Sequence, residues 1–135
     1  MIKIKYKVVG KGRRSCGVTT APHELKGLSK LYSKGNIVKA NLGTMGIYVF
    51  REERDAEDFA RTYWWGSLRI LRVKPIGKKT KKALMLDTHT LAHNLHSDLG
   101  KLYGKHKENF TKILLPFFTQ PPKGTECYPA VEVLD

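Results

Sequence analysis

Cysteine is nearly absent from this chain. Cys16 and Cys127 stand far apart, with no C-x-x-C spacing, which excludes a disulfide-dense scaffold and a thiolate zinc motif. The expectation is two unpaired thiols in a cytoplasmic protein, with a bond between them left open. Long apolar runs are missing too: none approaches the roughly 18 residues needed to span a bilayer. The amino terminus alternates lysine with Ile2, Ile4 and Tyr6, a strand pattern and not a signal peptide. No membrane partner is expected. Catalytic signatures are absent as well. There is no G-x-S-x-G elbow, no Walker A motif, no H-E-x-x-H, and no carboxylate pair at a convincing spacing. No catalytic residue, cofactor or metal ligand is assigned, and whether the protein is an enzyme stays open. Repeats, low-complexity stretches and linkers are lacking, so residues 1–135 are expected to form a single basic domain.

The scarcity that carries most information is that of acids. Twenty-five Lys and Arg face twelve Asp and Glu, a formal charge of +13. Residues 1–51 hold eleven basic residues and one acid, Glu24, whereas residues 52–135 hold fourteen against eleven. A second tract, residues 69–82, holds no acid and contains Arg69, Arg72, Lys74, Lys78, Lys79, Lys81 and Lys82. Two such tracts in a small chain produce a field that attracts polyanions.

The most definite local pattern runs from Gly46 to Val73. Ile47, Tyr48, Val49 and Phe50 form an apolar run suited to a strand covered on both faces. Ala56, Phe59, Ala60, Tyr63 and Trp64 then recur at helical spacing, behind acids that complement the positive end of the helix dipole. Gly66 ends the helix and Leu68–Val73 reads as a strand, with seventeen residues between the strands, enough for a parallel crossover. Trp65 falls off the apolar arc, beside Arg61, and is either core folded under the following loop or a candidate base-stacking platform. This strand, the D-A-E-D-F-A helix and the following strand resemble, over about thirty residues, parts of ADP-ribosyltransferase-like proteins and small proteins of phages and mobile elements. The resemblance brings no catalytic motif, and no residue is assigned through it.

Elsewhere the patterns are shorter. Met1–Val9 reads as a strand with Lys3, Lys5 and Lys7 on a wet cationic face and Ile2, Ile4, Tyr6 and Val8 turned inward. Lysines so placed would also guard an edge strand. Gly10–Gly17 is a glycine-punctuated loop in which Lys11, Arg13 and Arg14 could meet phosphate oxygens. Pro22 could open a short helix carrying Leu25, Leu28 and Tyr32. Asn36–Ala40 is expected to be a strand antiparallel to 47–50, joined to it by a loop holding Gly43 and Gly46. A helix is expected over Ala83–Tyr103. It would carry His89, His93 and His96 on one flank, with His89 and His96 about 10 Å apart along the axis, too far to share one ion. That flank reads as hydrated. A short helix or strand follows over Glu108–Phe118, then a loop over Gln120–Gly124 and a last strand within Pro129–Leu134. The fold class is α+β, a mixed sheet of about five strands with two or three helices.

Functionally, the expectation is binding of an anionic partner, nucleic acid first. The binding face would be Lys3, Lys5, Lys7, Lys11, Arg13, Arg14, Arg69, Arg72, Lys74, Lys78, Lys79, Lys81 and Lys82, with Trp65 for stacking. One alternative is a nucleotide-using enzyme with its pocket beside the Gly10–Gly17 or Gly43–Gly46 loop. The other is an inhibitor or sponge that captures an acidic protein or a small phosphorylated signal.

Overall fold

The computed structural model describes residues 3–13, 30–62, 68–86, 105–114 and 118–135. The expectations for Arg14, Cys16, the Pro22 helix, Trp65, the Gly66 stop and the His89/His93/His96 flank lie outside the described residues.

Six strands form one sheet in the order β2-β8-β4-β1-β3-β7. They are β1 (Lys5–Val9), β2 (Ile37–Lys39), β3 (Ile47–Phe50), β4 (Arg69–Ile76), β7 (Thr125–Tyr128) and β8 (Ala130–Val133). The short strands β5 (Met85–Leu86) and β6 (Phe118–Thr119) pair separately. Two helices are present among the described residues, α1 (Glu53–Thr62) and α2 (Phe110–Leu114). The α+β class therefore holds. Among the described residues the sheet has six strands and not five, and every neighbouring pair in it is antiparallel, so it is not mixed.

The β3–α1–β4 unit forms as its sequence implied, with one difference. Both β3 and β4 run antiparallel to β1, so they are parallel to each other with β1 inserted between them. That insertion makes β1 a central strand. Tyr6, Val8, Phe50 and Ile70 lie on one face of the sheet, against Ala56, Phe59 and Ala60 of α1. The rings of Phe50 and Phe59 sit 5.4 Å apart in a tilted arrangement. Glu53 and Asp55 occupy the first turn of α1, where negative charge opposes the helix dipole.

The opposite face carries the larger core. Val9, Val49, Leu71, Val73, Val131 and Val133 are at most 1% exposed, and Tyr32 joins them. Each such aliphatic side chain contributes about 1.5–3 kcal/mol by leaving water.

Two chain segments pair otherwise than their sequence implied. Strand β2 joins β8, with Val38 opposite Val131, and not β3. Hydrogen bonds from Gly35 N to Val133 O and from Ala40 N to Pro129 O extend that pairing. The reason is the core: Val38 is the one buried residue of β2 and completes the Val131–Val133 cluster. The 41–46 loop docks instead on α2, where Thr111 donates to Gly43 O through both its N–H and its hydroxyl. Met85 and Leu86 are extended, so no helix begins at Ala83. The expected element over 108–118 is a 3-10 turn, Lys107–Asn109, running into α2.

Candidate anion-binding surface

The alternation read in the first strand is real, but its sense is reversed for the lysines. Lys5 and Lys7 are 9% and 8% exposed, whereas Ile4 is 38% exposed. Strand β1 has both edges paired, and its faces are covered by α1 on one side and by the larger core with Tyr32 on the other. The lysine stems lie on that core with their ammonium groups satisfied inside it. Lys5 Nζ lies 3.1 Å from Glu126 Oε1. Lys7 Nζ donates to Tyr48 O at 2.9 Å and sits 5.2 Å from the centre of the Tyr32 ring. The wet cationic face is therefore corrected at Lys5 and Lys7, and so is the edge-guarding role. Lys3 precedes the strand and is exposed.

Glu126 gathers the surrounding polar groups. The Tyr128 hydroxyl donates to Oε1 at 3.0 Å, and Lys79 Nζ lies 3.5 Å from Oε2. Burial works to raise the Glu126 pKa. The hydrogen bonds from Lys5 and Tyr128, with the charges of Lys5 and Lys79, outweigh it and hold the group below the usual carboxylate range. Burial together with the bond to Glu126 pushes the Tyr128 phenol up to about 12.

Two arginines named from the sequence are also engaged within the fold. Arg13, at a φ of 61°, donates through Nε to Tyr32 O at 2.7 Å and through a terminal nitrogen to the main-chain oxygen of Asp135. Its guanidinium serves to tie chain segments together and not to meet solvent anions. Arg72 grips the Asp135 carboxylate, with contacts of 2.8 and 3.1 Å to Oδ1. Those bonds hold the Asp135 carboxyl below its ordinary range. Lys11 opens the 3-10 turn Lys11–Arg13. Arg69 is exposed at the start of β4, and Lys74 is exposed on the face opposite the buried Leu71 and Val73, across from Glu132.

The remaining cations converge. The segment after β4 is pinned along β7: Thr80 N donates to Cys127 O at 2.9 Å and Thr80 Oγ to Met45 O at 2.8 Å. Leu84 N approaches the Met45 sulfur at 3.3 Å. These bonds fix Lys78, Lys79, Lys81 and Lys82 as an exposed rim. Facing the rim is the 120–125 turn, held to the end of β3 by Arg51 N donating to Gly124 O at 2.9 Å.

Two adjoining hollows lie between rim and turn. The smaller, about 270 Å³, is lined by Arg51, Lys79 and Lys81 with Thr80, Thr125 and Glu126. The larger, about 520 Å³, is lined by Lys82, Leu84, Gln120, Pro121, Pro122 and Lys123. Ala83, Gly124 and Thr125 border both. Glu126 is the one acid among the lining residues, and it is already held by Lys5 and Tyr128. Arg51 and Lys123 were not singled out from the sequence. Arg51 stands at the very end of the 1–51 tract and Lys123 is a lone basic residue far from both tracts, and only the β3–β7 pairing, with Phe50 opposite Thr125, brings them together.

The loops suggested as nucleotide pockets fare differently. At Gly43 and Gly46 the close approach is made by the protein's own backbone: an added Cβ would lie 1.7 Å from Lys107 O and 2.7 Å from Tyr128 O. The Gly43–Gly46 site is therefore filled by backbone. Among the described residues no three His, Cys, Asp or Glu side chains come together to hold a metal ion. Cys127 is a free, buried thiol whose pKa burial pushes up to about 12, against an opposing pull from Lys7. A thiol so held is a poor nucleophile. No helix among the described residues is long and apolar enough to cross a membrane.

No protein-family model, curated protein or solved structure matches this chain, so the site is interpreted from its own residues.

Proposed function

We propose that this protein binds a polyanion, specifically a nucleic acid, through the basic hollows between the 78–84 rim and the 120–125 turn. One observation carries the reading. Arg51, Lys79, Lys81, Lys82 and Lys123 come from three separate chain segments and surround one concave surface whose single lining acid is internally paired. Arg69, Lys74 and Lys78 extend the positive field away from it, and no ion pair engages them among the described residues. Lys5, Lys7, Arg13 and Arg72 contribute to the fold and to the long-range field, not to contacts. A cytoplasmic setting belongs to the same reading.

The test is the salt dependence of oligonucleotide binding. Four to five phosphate contacts on duplex DNA give a slope near −4 in log affinity against log salt, so a fourfold rise in salt costs roughly 300-fold in affinity. Binding that ignores salt, or a complex formed only with an acidic protein, removes the nucleic acid from the proposal.

A further inference from the structure

We infer that the two hollows together seat one unstacked nucleotide of a single strand, its phosphate over Arg51, Lys79 and Lys81 and its base against Leu84, Pro121 and Pro122. This deepens the nucleic-acid reading and rests on it. The observation behind it is a difference in chemistry across a shared wall: the smaller hollow is cationic and mostly polar, whereas the larger is half apolar, with Leu84, Pro121 and Pro122 beside Lys82, Lys123 and Gln120.

Size separates the roles. A hollow of about 270 Å³ is smaller than the ~300–1,000 Å³ typical of sites for whole organic ligands, whereas about 520 Å³ lies within that range. The smaller hollow thus suits one charged group and the larger a ring system. Within the smaller hollow the side-chain hydroxyl donors are already committed. Thr80 gives its hydroxyl proton to Met45 O and Thr125 gives its own to Pro122 O at 2.6 Å. Among the lining side chains, cationic groups are left to recognise the ligand, which favours an anion. Lys79 is 52% exposed and only 3.5 Å from Glu126 Oε2, so its ammonium can turn to an incoming phosphate without stranding the carboxylate, which Lys5 still holds.

The larger hollow offers flat apolar surface that loses little side-chain entropy on contact, since proline rings are already fixed. Gln120 adds an amide able to donate to or accept from the edge of any base. A base still paired in a duplex keeps both of its faces in the stack and cannot use such a seat. The expected preference is for single strands, tolerant of sequence.

The experiment compares a labelled single strand with a hairpin duplex of equal phosphate number at one salt concentration. The strand should bind roughly tenfold tighter, and Leu84→Ser should reduce strand binding roughly fivefold, which about 40 Å² of apolar contact supplies. Duplex binding and both salt slopes should not change. Leu84 is partly buried, so the wild-type protein is also crosslinked to a strand carrying 4-thiouracil, with adducts expected within residues 82–84 and 118–124. Equal binding of strand and duplex, or adducts only elsewhere, overturns the seat while leaving the polyanion reading intact. No binding of either at low salt overturns both. A free nucleoside monophosphate that displaces the strand at equal phosphate concentration overturns the strand as occupant.

Discussion

Lys5 Nζ lies 3.1 Å from Glu126 Oε1 across the sheet, with the two side chains 11% and 10% exposed. A buried pair of this kind contributes less than its geometry implies, because both ions left water to make it. Breaking it from one side is another matter. Glu126→Leu should cost about 3–5 kcal/mol of unfolding free energy by leaving the buried Lys5 ammonium uncompensated. Lys5→Met with Glu126→Leu should recover much of that loss, as a double-mutant cycle in urea would register. Equal losses for the single and double variants would contradict this picture of the pair.

The same carboxylate sets an acid limit. Its folded pKa is depressed, so its contribution is fully present above the unfolded value of about 4.3 and is lost as pH falls through the folded one. Urea midpoints measured between neutral pH and about pH 3 should therefore fall more steeply in the wild type than in Glu126→Gln. Asp135 is depressed in the same direction by Arg72, but that pair is more exposed, so Asp135→Asn should flatten the profile less.

Gly43 and Gly35 make a matched comparison. Both have positive φ, 78° and 84°, but Gly35 faces open space while a Cβ on Gly43 would lie 1.7 Å from Lys107 O. Gly35→Ala should cost roughly 1 kcal/mol, the strain of a left-handed alanine. Gly43→Ala carries the same strain and must also move the loop off α2, weakening the Thr111 bonds at about 1 kcal/mol each. Its melting temperature should fall well below that of Gly35→Ala. Equal shifts would mean the contact at Lys107 is easily relaxed.

Cys127 should resist alkylation. It is fully buried, with a thiol pKa near 12, so at pH 8 it presents almost no thiolate to a reagent. Peptide mapping after iodoacetamide treatment should find Cys127 unmodified in native protein and modified in urea. Rapid native labelling would contradict its burial in β7.

Periodicity made the local elements legible. The apolar run at Ile47–Phe50 and the Ala56–Phe59–Ala60 stripe gave a strand and a helix because both patterns are written within a few residues. Strand pairing was not legible, since nothing near Ile37 says that its partner lies at Glu132. The same gap misled the reading of the lysines. Alternation showed that Lys5 and Lys7 share a face but not that this face is covered, and packing against Tyr32 and Glu126 in the larger core is what buries them. Charge counting found the 78–82 rim because it is contiguous. It could not show that Arg51 and Lys123 join that rim, because their convergence depends on contacts between residues about seventy positions apart.

Arg13 and the Lys81–Lys82 pair therefore separate a charge that holds the fold from charges that meet solvent. All three count equally in the net charge, yet Arg13 bonds Tyr32 O and Asp135 while no ion pair holds Lys81 or Lys82 among the described residues. Arg13→Ala removes charge-assisted hydrogen bonds worth about 1.5–3 kcal/mol each, so it should lower the urea midpoint. It should leave the salt slope of oligonucleotide binding nearly unchanged. Lys81→Ala with Lys82→Ala should do the reverse, keeping the melting temperature within a degree or two and reducing the slope by about 2, near 0.9 per lost duplex phosphate contact. If the double variant kept the wild-type slope, the rim would not be where phosphate is met. If Arg13→Ala lowered the slope as much as the lysine pair, distributed net charge and not the hollow would be attracting the strand.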